Sequence, residues 1–242
     1  MEEHNLNQPT DRRGFLGSLA TGAAALGIAS FATPLGLKAE ANKLSENGFD
    51  PDPDELFKKL KGKHKVVFDA TRPHEIMPFV WPKVFLLTNQ ATGTPEKENS
   101  VVVVLRHDAI PFAFQDHIWE KYKFGDLFKV EVGRTFHAAD AATAASVRNP
   151  FWKTKKGDFM VPGFGEVQIG ISELQASGVI FVVCDAAMTV YSAAVAQGMN
   201  LNAADVKKEW ISGLIPGIQP VPSGVWALGR AQEHGCSYIF AG

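Results

Sequence analysis

Polar side chains follow three apolar runs of the sequence and could do chemistry together. They are a cysteine and an aspartate after one run, an arginine and a histidine after another, and a histidine after a third: Cys184, Asp185, Arg106, His107 and His74. A cysteine thiolate is a nucleophile, and cations or N–H groups around it stabilise negative charge on sulfur. The pattern therefore suggests a nucleophilic thiol at Cys184 with basic residues that bind an anionic substrate.

Two less reactive roles compete for the same thiol. A cysteine at the end of a buried strand is most often a small apolar core residue. Because the chain has two cysteines, a disulfide between Cys184 and Cys236 is also conceivable. However, Cys184 ends its predicted strand, whereas Cys236 precedes its own, so in a parallel sheet they lie at opposite ends, about 17–20 Å apart. A disulfide needs Cα atoms within about 7 Å, and the sequence therefore disfavours the bridge.

The basic candidates also have ordinary alternatives. A histidine commonly forms structural hydrogen bonds, and an arginine at a sheet edge commonly pairs with a carboxylate such as Glu75 or Asp108. A small metal site is a further alternative if three ligands meet: His74, His107 and Cys184. The sequence has no C-x-x-C, H-E-x-x-H, G-x-G-x-x-G or phosphate-binding G-K-[ST] motif, so no cofactor or metal is expected.

The elements that must position these residues alternate between strand and helix. Apolar runs at 65–70, 101–106, 179–184, 218–221 and 237–241 are separated by segments of helical periodicity. This alternation predicts an α/β domain around a five-stranded parallel sheet. Ligands bind at the carboxyl ends of such strands, where the strand order reverses. With the common order 2-1-3-4-5, the first three strands are neighbours and their polar turns converge.

The C-terminal half carries a recognisable series of motifs. The strand GVIFVVCDAAM is followed by LIPGIQPVPSGVWALGRAQEHGCSYIFAG. In this order and spacing the chain resembles the DsrE/DsrF-like sulfur-relay family, well over 171–242 and more weakly over 64–125. The resemblance implies a flavodoxin-like three-layer sandwich with order 2-1-3-4-5 and assembly into homotrimers or homohexamers. It also implies that Cys184 accepts sulfane sulfur as a persulfide and passes it between a donor and an acceptor protein.

The N-terminus has the layout of an export signal. Adjacent arginines and an apolar pair, Arg12, Arg13, Phe15 and Leu16, precede a stretch rich in glycine and alanine. This arrangement resembles a twin-arginine signal, with cleavage expected near Ala41. We therefore expect a signal peptide at 1–41, an extension at 42–63 and an α/β domain at 64–242 with a loop or lid inserted at 147–165. The predicted location is the periplasm, without stable membrane insertion after cleavage.

The charge balance limits the classes of partner. The 242 residues include 45% hydrophobic and 21% charged residues and carry a formal net charge of −2. A near-neutral chain with scattered lysines and arginines lacks the basic surface that nucleic-acid binding requires. The sequence thus predicts an exported DsrE-like carrier of sulfane sulfur. The alternative is a non-enzymatic binding or assembly module in which Cys184 is structural and the 147–165 segment docks a ligand or partner.

Overall fold

Five parallel strands form the central sheet of the computed structural model, which describes residues 52–242. The strands of this sheet are β1 (His64–Ala70), β2 (Asn99–Leu105), β5 (Val179–Cys184), β6 (Gln219–Val221) and β7 (Ser237–Phe240). They confirm the five predicted strands to within a few residues. A separate antiparallel pair consists of β3 (Met160–Val161) and β4 (Gly165–Glu166). The predicted signal, with Arg12, Arg13, Phe15 and Leu16, lies outside the described residues.

Helices occupy the connections between these strands. In chain order they are α1 (Glu55–Lys58), α2 (Met77–Ala91), α3 (Asp116–Tyr122), α4 (Phe124–Leu127), α5 (Ala144–Val147), α6 (Ile171–Ala176), α7 (Asp185–Met199), α8 (Ala203–Ser212) and α9 (Gly224–Glu233). Short 3₁₀ segments cover Glu96–Glu98 and His107–Ala113. Within residues 52–242, no helix is long and apolar enough to span a bilayer.

The strand order differs from the prediction. The sheet runs β6-β5-β2-β1-β7, which is 4-3-2-1-5 in chain order rather than 2-1-3-4-5. The chain steps from β1 to β2, β5 and β6 in one direction, and α9 then carries it back across the sheet to pair β7 with β1. Strand and helix periodicity show which segments are strands, but they contain no information about the direction of each step. The fold class is as expected: an α/β, flavodoxin-like three-layer sandwich.

Two apolar cores fill the space on either side of the sheet. The larger core lies under α2 and the helices between β2 and β6, and includes Phe68 and Phe181. The smaller core lies under α9 and includes Val67 and Val182. Neighbouring residues of one strand thus enter different cores, which explains why the strands are continuous apolar runs.

The smaller core also includes residues from the predicted N-terminal extension. Leu56 and Phe57 of α1 are buried there with Leu60, and the Phe57 ring packs edge-on against Trp226 of α9 at 5.9 Å. This part of the 42–63 segment therefore packs in the α/β domain.

The 147–165 segment is only partly the loop expected from its sequence. Phe151 and Phe159 are buried and stack at 5.0 Å, and Phe151 also stacks on Phe79 of α2 at 4.0 Å. Buried Asn149 donates hydrogen bonds to two backbone carbonyls of the 3₁₀ region. The segment is anchored in the larger core by these aromatic rings, and its β3–β4 hairpin presents Phe164, which is 80% exposed.

Candidate functional site

The chain leaves β5 and β6 toward opposite faces of the sheet. After β5, α7 packs into the larger core through Met188, and after β6, α9 packs into the smaller core through Ala227. Ligands of open parallel sheets bind where adjacent strands diverge in this way. In the observed strand order this crevice lies between the ends of β5 and β6, beside Cys184 and Ser223.

Cys184 is both the last residue of β5 and the N-cap of α7. Its Sγ accepts a hydrogen bond from the Ala187 N–H at 3.3 Å, and the residue is 7% exposed. The adjacent turns are joined because the Ala186 N–H donates to the Pro222 carbonyl. Ser223 caps α9 by accepting a hydrogen bond from the Trp226 N–H. Two helices therefore begin at the crevice, and helix N-termini attract negative charge.

Arg106 is held at the same edge by a buried carboxylate that the sequence analysis missed. Its Nε and Nη2 donate to the two oxygens of Asp69 at 2.6 and 2.9 Å, and Tyr238 donates to Asp69 at 2.8 Å. The Arg106 side chain crosses Gly224, where an added Cβ would lie 2.5 Å from the arginine Cβ. Arg106 thus pairs with a carboxylate, as the ordinary alternative expects, but its partner is Asp69 and not Glu75 or Asp108.

The guanidinium of Arg106 is also an electrostatic neighbour of the thiol. Its pKa is raised, chiefly by the hydrogen bonds to Asp69, with smaller contributions from the negative charges that Tyr238 and Cys184 can carry. Within residues 52–242, Nη1 of Arg106 has no hydrogen-bond partner, because only Nε and Nη2 contact Asp69. The ends of β2 and β5 are neighbours, with Leu105 in register with Val183, so the structure brings Arg106 and Cys184 to the same place and leaves the Nη1 group of Arg106 for an anion.

Asp185 is turned toward α8. Its Oδ2 accepts a hydrogen bond from Lys207 Nζ at 2.9 Å, and Lys207 also contacts the Thr189 hydroxyl. The aspartate is 6% exposed and the lysine is half-buried, so the ion pair joins α7 to α8 with its carboxylate out of contact with solvent. The acid that follows Cys184 in sequence is neutralised by a lysine, which reduces its opposition to negative charge on the neighbouring sulfur.

His107 belongs to a second polar cluster. Its Nδ1 lies 3.0 Å from Asp108 Oδ1, and the Tyr191 hydroxyl donates to the same carboxylate. The hydrogen bond to Asp108 raises the pKa of His107. Burial acts to raise the pKa of Asp108, but the hydrogen bonds from His107 and Tyr191 outweigh it and lower that pKa. His107 is mostly exposed and has a φ of 52°, an uncommon left-handed conformation for a non-glycine residue.

His74 does not join the thiol. Its backbone forms an isolated bridge with Glu131, and its side chain lies against Gly242, where an added Cβ would be 2.6 Å from the His74 Cβ. In the observed order β2 separates β1 from β5, so the turns after these strands are roughly 10 Å apart. The predicted convergence therefore fails for His74. Among residues 52–242, no group of three or more His, Cys, Asp or Glu side chains is arranged to hold a metal ion.

Cys236 occupies a different environment at the amino end of the sheet. It precedes β7 and is buried in the smaller core, 6% exposed. Burial raises the pKa of its thiol. Cys184 and Cys236 are both free thiols, at the opposite ends of the sheet that the sequence predicts for them.

Comparison with known proteins finds similarity among solved structures. No family model matches the chain, and no curated protein matches it. Among solved structures, the chain is similar to a protein of unknown function from Methanobacterium thermoautotrophicum, with 15% sequence identity and a TM-score of 0.35. The alignment covers 74% of this chain and 99% of that one.

Proposed function

We propose that the protein is an exported carrier of sulfane sulfur, which it holds as a persulfide on Cys184. The observation that carries this proposal is the position of the Cys184 sulfur at the start of α7, in the β5–β6 crevice and next to the end of β2, which Arg106 follows. The twin-arginine-type sequence at the N-terminus supports the exported location. The resemblance to the sulfur-relay family supports the chemistry.

The transfer is a thiol–disulfide-type exchange that needs no external oxidant. The Cys184 thiolate attacks the terminal sulfur of a persulfide or polysulfide donor, a new S–S bond forms at Cys184, and the S–S bond of the donor breaks. The donor leaves as a thiolate, and the transferred sulfur keeps its oxidation state and its proton. Attack by an acceptor thiolate on the same outer sulfur then returns Cys184 to the thiolate.

The surrounding groups suit the anions of this exchange. The Ala187 N–H donates to the Cys184 sulfur, and the Nη1 group of Arg106 is not committed to Asp69, so both can stabilise negative charge that develops at Cys184. Asp69 fixes the guanidinium in place before substrate arrives, so its stabilisation of a developing anion costs little reorganisation. In this proposal Arg106 binds the outer sulfur, whereas His107 and His74 do not take part.

The two cysteines make a matched test. Wild-type protein and the Cys236→Ala variant should each gain the mass of one or more sulfur atoms after incubation with polysulfide, whereas Cys184→Ser should not. Dithiothreitol should remove the added mass, because it reduces a persulfide but not a sulfinic acid of the same nominal mass. Intact-mass spectrometry measures both steps. Equal labelling of Cys184→Ser, or no labelling of the wild type, would contradict the proposal.

A binding or assembly module is the second candidate, and the burial of Cys184 favours it. A thiol that is 7% exposed and caps a helix already has a structural role. In such a module Cys184 should resist alkylating reagents until the protein is unfolded. The alkylation of native protein therefore separates the two candidates independently of any sulfur donor.

A further inference from the structure

Three polar residues at the ends of β1 and β2 form a cluster that the transfer of sulfur does not use: Arg72, His107 and Asp108. The backbone holds them together, because the Asp108 N–H donates to the Thr71 carbonyl at 3.0 Å and Arg72 follows Thr71. Arg72 is exposed, and within residues 52–242 its side chain has no hydrogen bond or ion pair. It lies close enough to His107 and Asp108 for its positive charge to act on both.

The outer atoms of this cluster are free to bind a ligand. Asp108 contacts Tyr191 and His107 through Oδ1, and within residues 52–242 its Oδ2 accepts no hydrogen bond. His107 uses Nδ1 for this contact, so its Nε2 lies on the far side of a ring that is 62% exposed. The hydrogen bond to Asp108 raises the pKa of His107 despite the charges of Arg106 and Arg72, which favours the imidazolium form. The cluster therefore offers two cations and one carboxylate oxygen.

We infer that this cluster binds the α-amino-acid head of a low-molecular-weight thiol whose persulfide delivers sulfur to Cys184. The inference rests on the proposed function, because it identifies the donor in that transfer. The carboxylate of the head pairs with Arg72 and with Nε2 of protonated His107, and its ammonium pairs with Asp108 Oδ2. Groups of both charges suit an amino-acid head better than a simple anion. His107 thus holds the donor and takes no part in the movement of sulfur itself.

The distance from the cluster to the thiol sets the length of the donor. Because β2 separates β1 from β5, Arg72 and Cys184 lie roughly 10 Å apart across the sheet. An extended chain of three residues spans about 10 Å. A donor of tripeptide size therefore reaches Cys184 with its sulfur while its head is at Arg72. When the Cys184 thiolate attacks the outer sulfur, the donor's S–S bond breaks, and its own thiolate is the leaving group.

The rate at which the full-length protein gains sulfur from two donors tests this site. Glutathione persulfide has an α-amino-acid head, whereas inorganic polysulfide has none. Arg72→Gln and His107→Asn should each raise the glutathione persulfide concentration that gives half of the maximal rate at least about tenfold, because a charge-assisted hydrogen bond is lost. Neither variant should change the rate with polysulfide. Arg230→Gln is the matched control, because this arginine lies in the last turn of α9, at the amino end of the sheet.

Binding of S-methylglutathione, which cannot donate sulfur, gives a second measurement. Calorimetry should detect its binding to the wild type, and the binding should weaken at least about tenfold in Arg72→Gln or when the amino group of the ligand is acetylated. No binding to the wild type, or binding that neither change weakens, would overturn the inference. Equal slowing of both donors in Arg72→Gln would also overturn it, because the residue would then act on the sulfur rather than on the head.

The two donors also separate this inference from the proposed function. If polysulfide labels Cys184 but the variants treat glutathione persulfide as the wild type does, the inference is wrong and the proposed function stands. If neither donor labels Cys184 in the wild type, the proposed function is wrong, and the inference about its donor is wrong with it.

Discussion

The two cysteines are almost equally buried, at 7% and 6% exposed, yet they lie in opposite environments. Cys184 ends a strand and begins a helix, so its sulfur receives a backbone N–H and has Arg106 as an electrostatic neighbour. Cys236 precedes a strand and is surrounded by apolar side chains of the smaller core, where burial raises its pKa. Burial therefore does not distinguish a reactive thiol from a structural one here. The end of the sheet at which each thiol lies does distinguish them.

The largest effect that we expect is on the free energy of unfolding, and it comes from the Asp69–Arg106 ion pair at the carboxyl end of the sheet. Arg106→Met would leave Asp69, which is 1% exposed, without its cation. Removal of one partner from a buried pair typically costs about 3–5 kcal/mol in the free energy of unfolding. Urea denaturation followed by circular dichroism measures this loss. The double variant Arg106→Met/Asp69→Leu should recover much of it, because no uncompensated buried charge remains.

A second arginine–aspartate pair provides the control. Arg148 donates to both oxygens of Asp140 at 2.8 and 2.7 Å, but the Asp140 side chain is 44% exposed. Arg148→Met should therefore cost less than about 1 kcal/mol. Equal losses of stability for Arg106→Met and Arg148→Met would show that the buried Asp69–Arg106 pair contributes no more to stability than an exposed pair.

The next effect is the difference in thiol reactivity. Cys236→Ala leaves Cys184 as the chain's one cysteine, and Cys184→Ser leaves Cys236. At neutral pH the first protein should react with iodoacetamide at least about tenfold faster, because the thiolate is the reactive form and the apolar surroundings of Cys236 disfavour it. The rates should become similar in denaturant. Equal native rates would remove the distinction between the cysteines.

The raised pKa of Cys236 also predicts a dependence of stability on pH. The folded protein holds the Cys236 proton more tightly than the unfolded chain does. Its contribution to the free energy of unfolding is thus complete below the unfolded pKa of about 8.5 and is lost as the pH rises through the folded value. Denaturation curves between neutral and alkaline pH should show this decline in the wild type. Cys236→Ala should reduce the decline, and an unchanged slope would contradict the assignment.

The sequence predicts the strands and the place of Cys184 because both depend on local patterns. A continuous apolar run marks a strand that is buried on both faces, and a cysteine at its end lies at the edge of the sheet. The order of strands depends on which way each connection crosses the sheet, and no local pattern encodes that choice. The prediction therefore placed His74 near the thiol, whereas the structure separates the two strands by β2.

Asp69 was missed although the sequence carries a signal for it. It is the one charged residue within the apolar run VVFDA of β1, and a buried charge requires a partner. Asp69 is in register with Val104, so Arg106 lies two residues further along the neighbouring strand and on the same face. To identify Arg106 as the partner of Asp69 from the sequence, one must already know that β1 pairs with β2 in this register. The contact of Tyr191 with Asp108 has no such signal, because α7 and the 3₁₀ segment are far apart in sequence.

The smallest effect that we expect is a reversed preference for serine and alanine at the two cysteines. At Cys184, Ser should be more stable than Ala by about 1 kcal/mol, because a serine hydroxyl can accept the Ala187 N–H as an N-cap and alanine cannot. At Cys236, Ala should be more stable than Ser by about 1 kcal/mol, because a hydroxyl would be buried in an apolar core. Thermal or urea denaturation of the four single variants measures both differences. If serine and alanine rank in the same order of stability at both positions, the start of α7 does not determine the environment of Cys184. The proposed difference between the environments of the two cysteines would then be wrong.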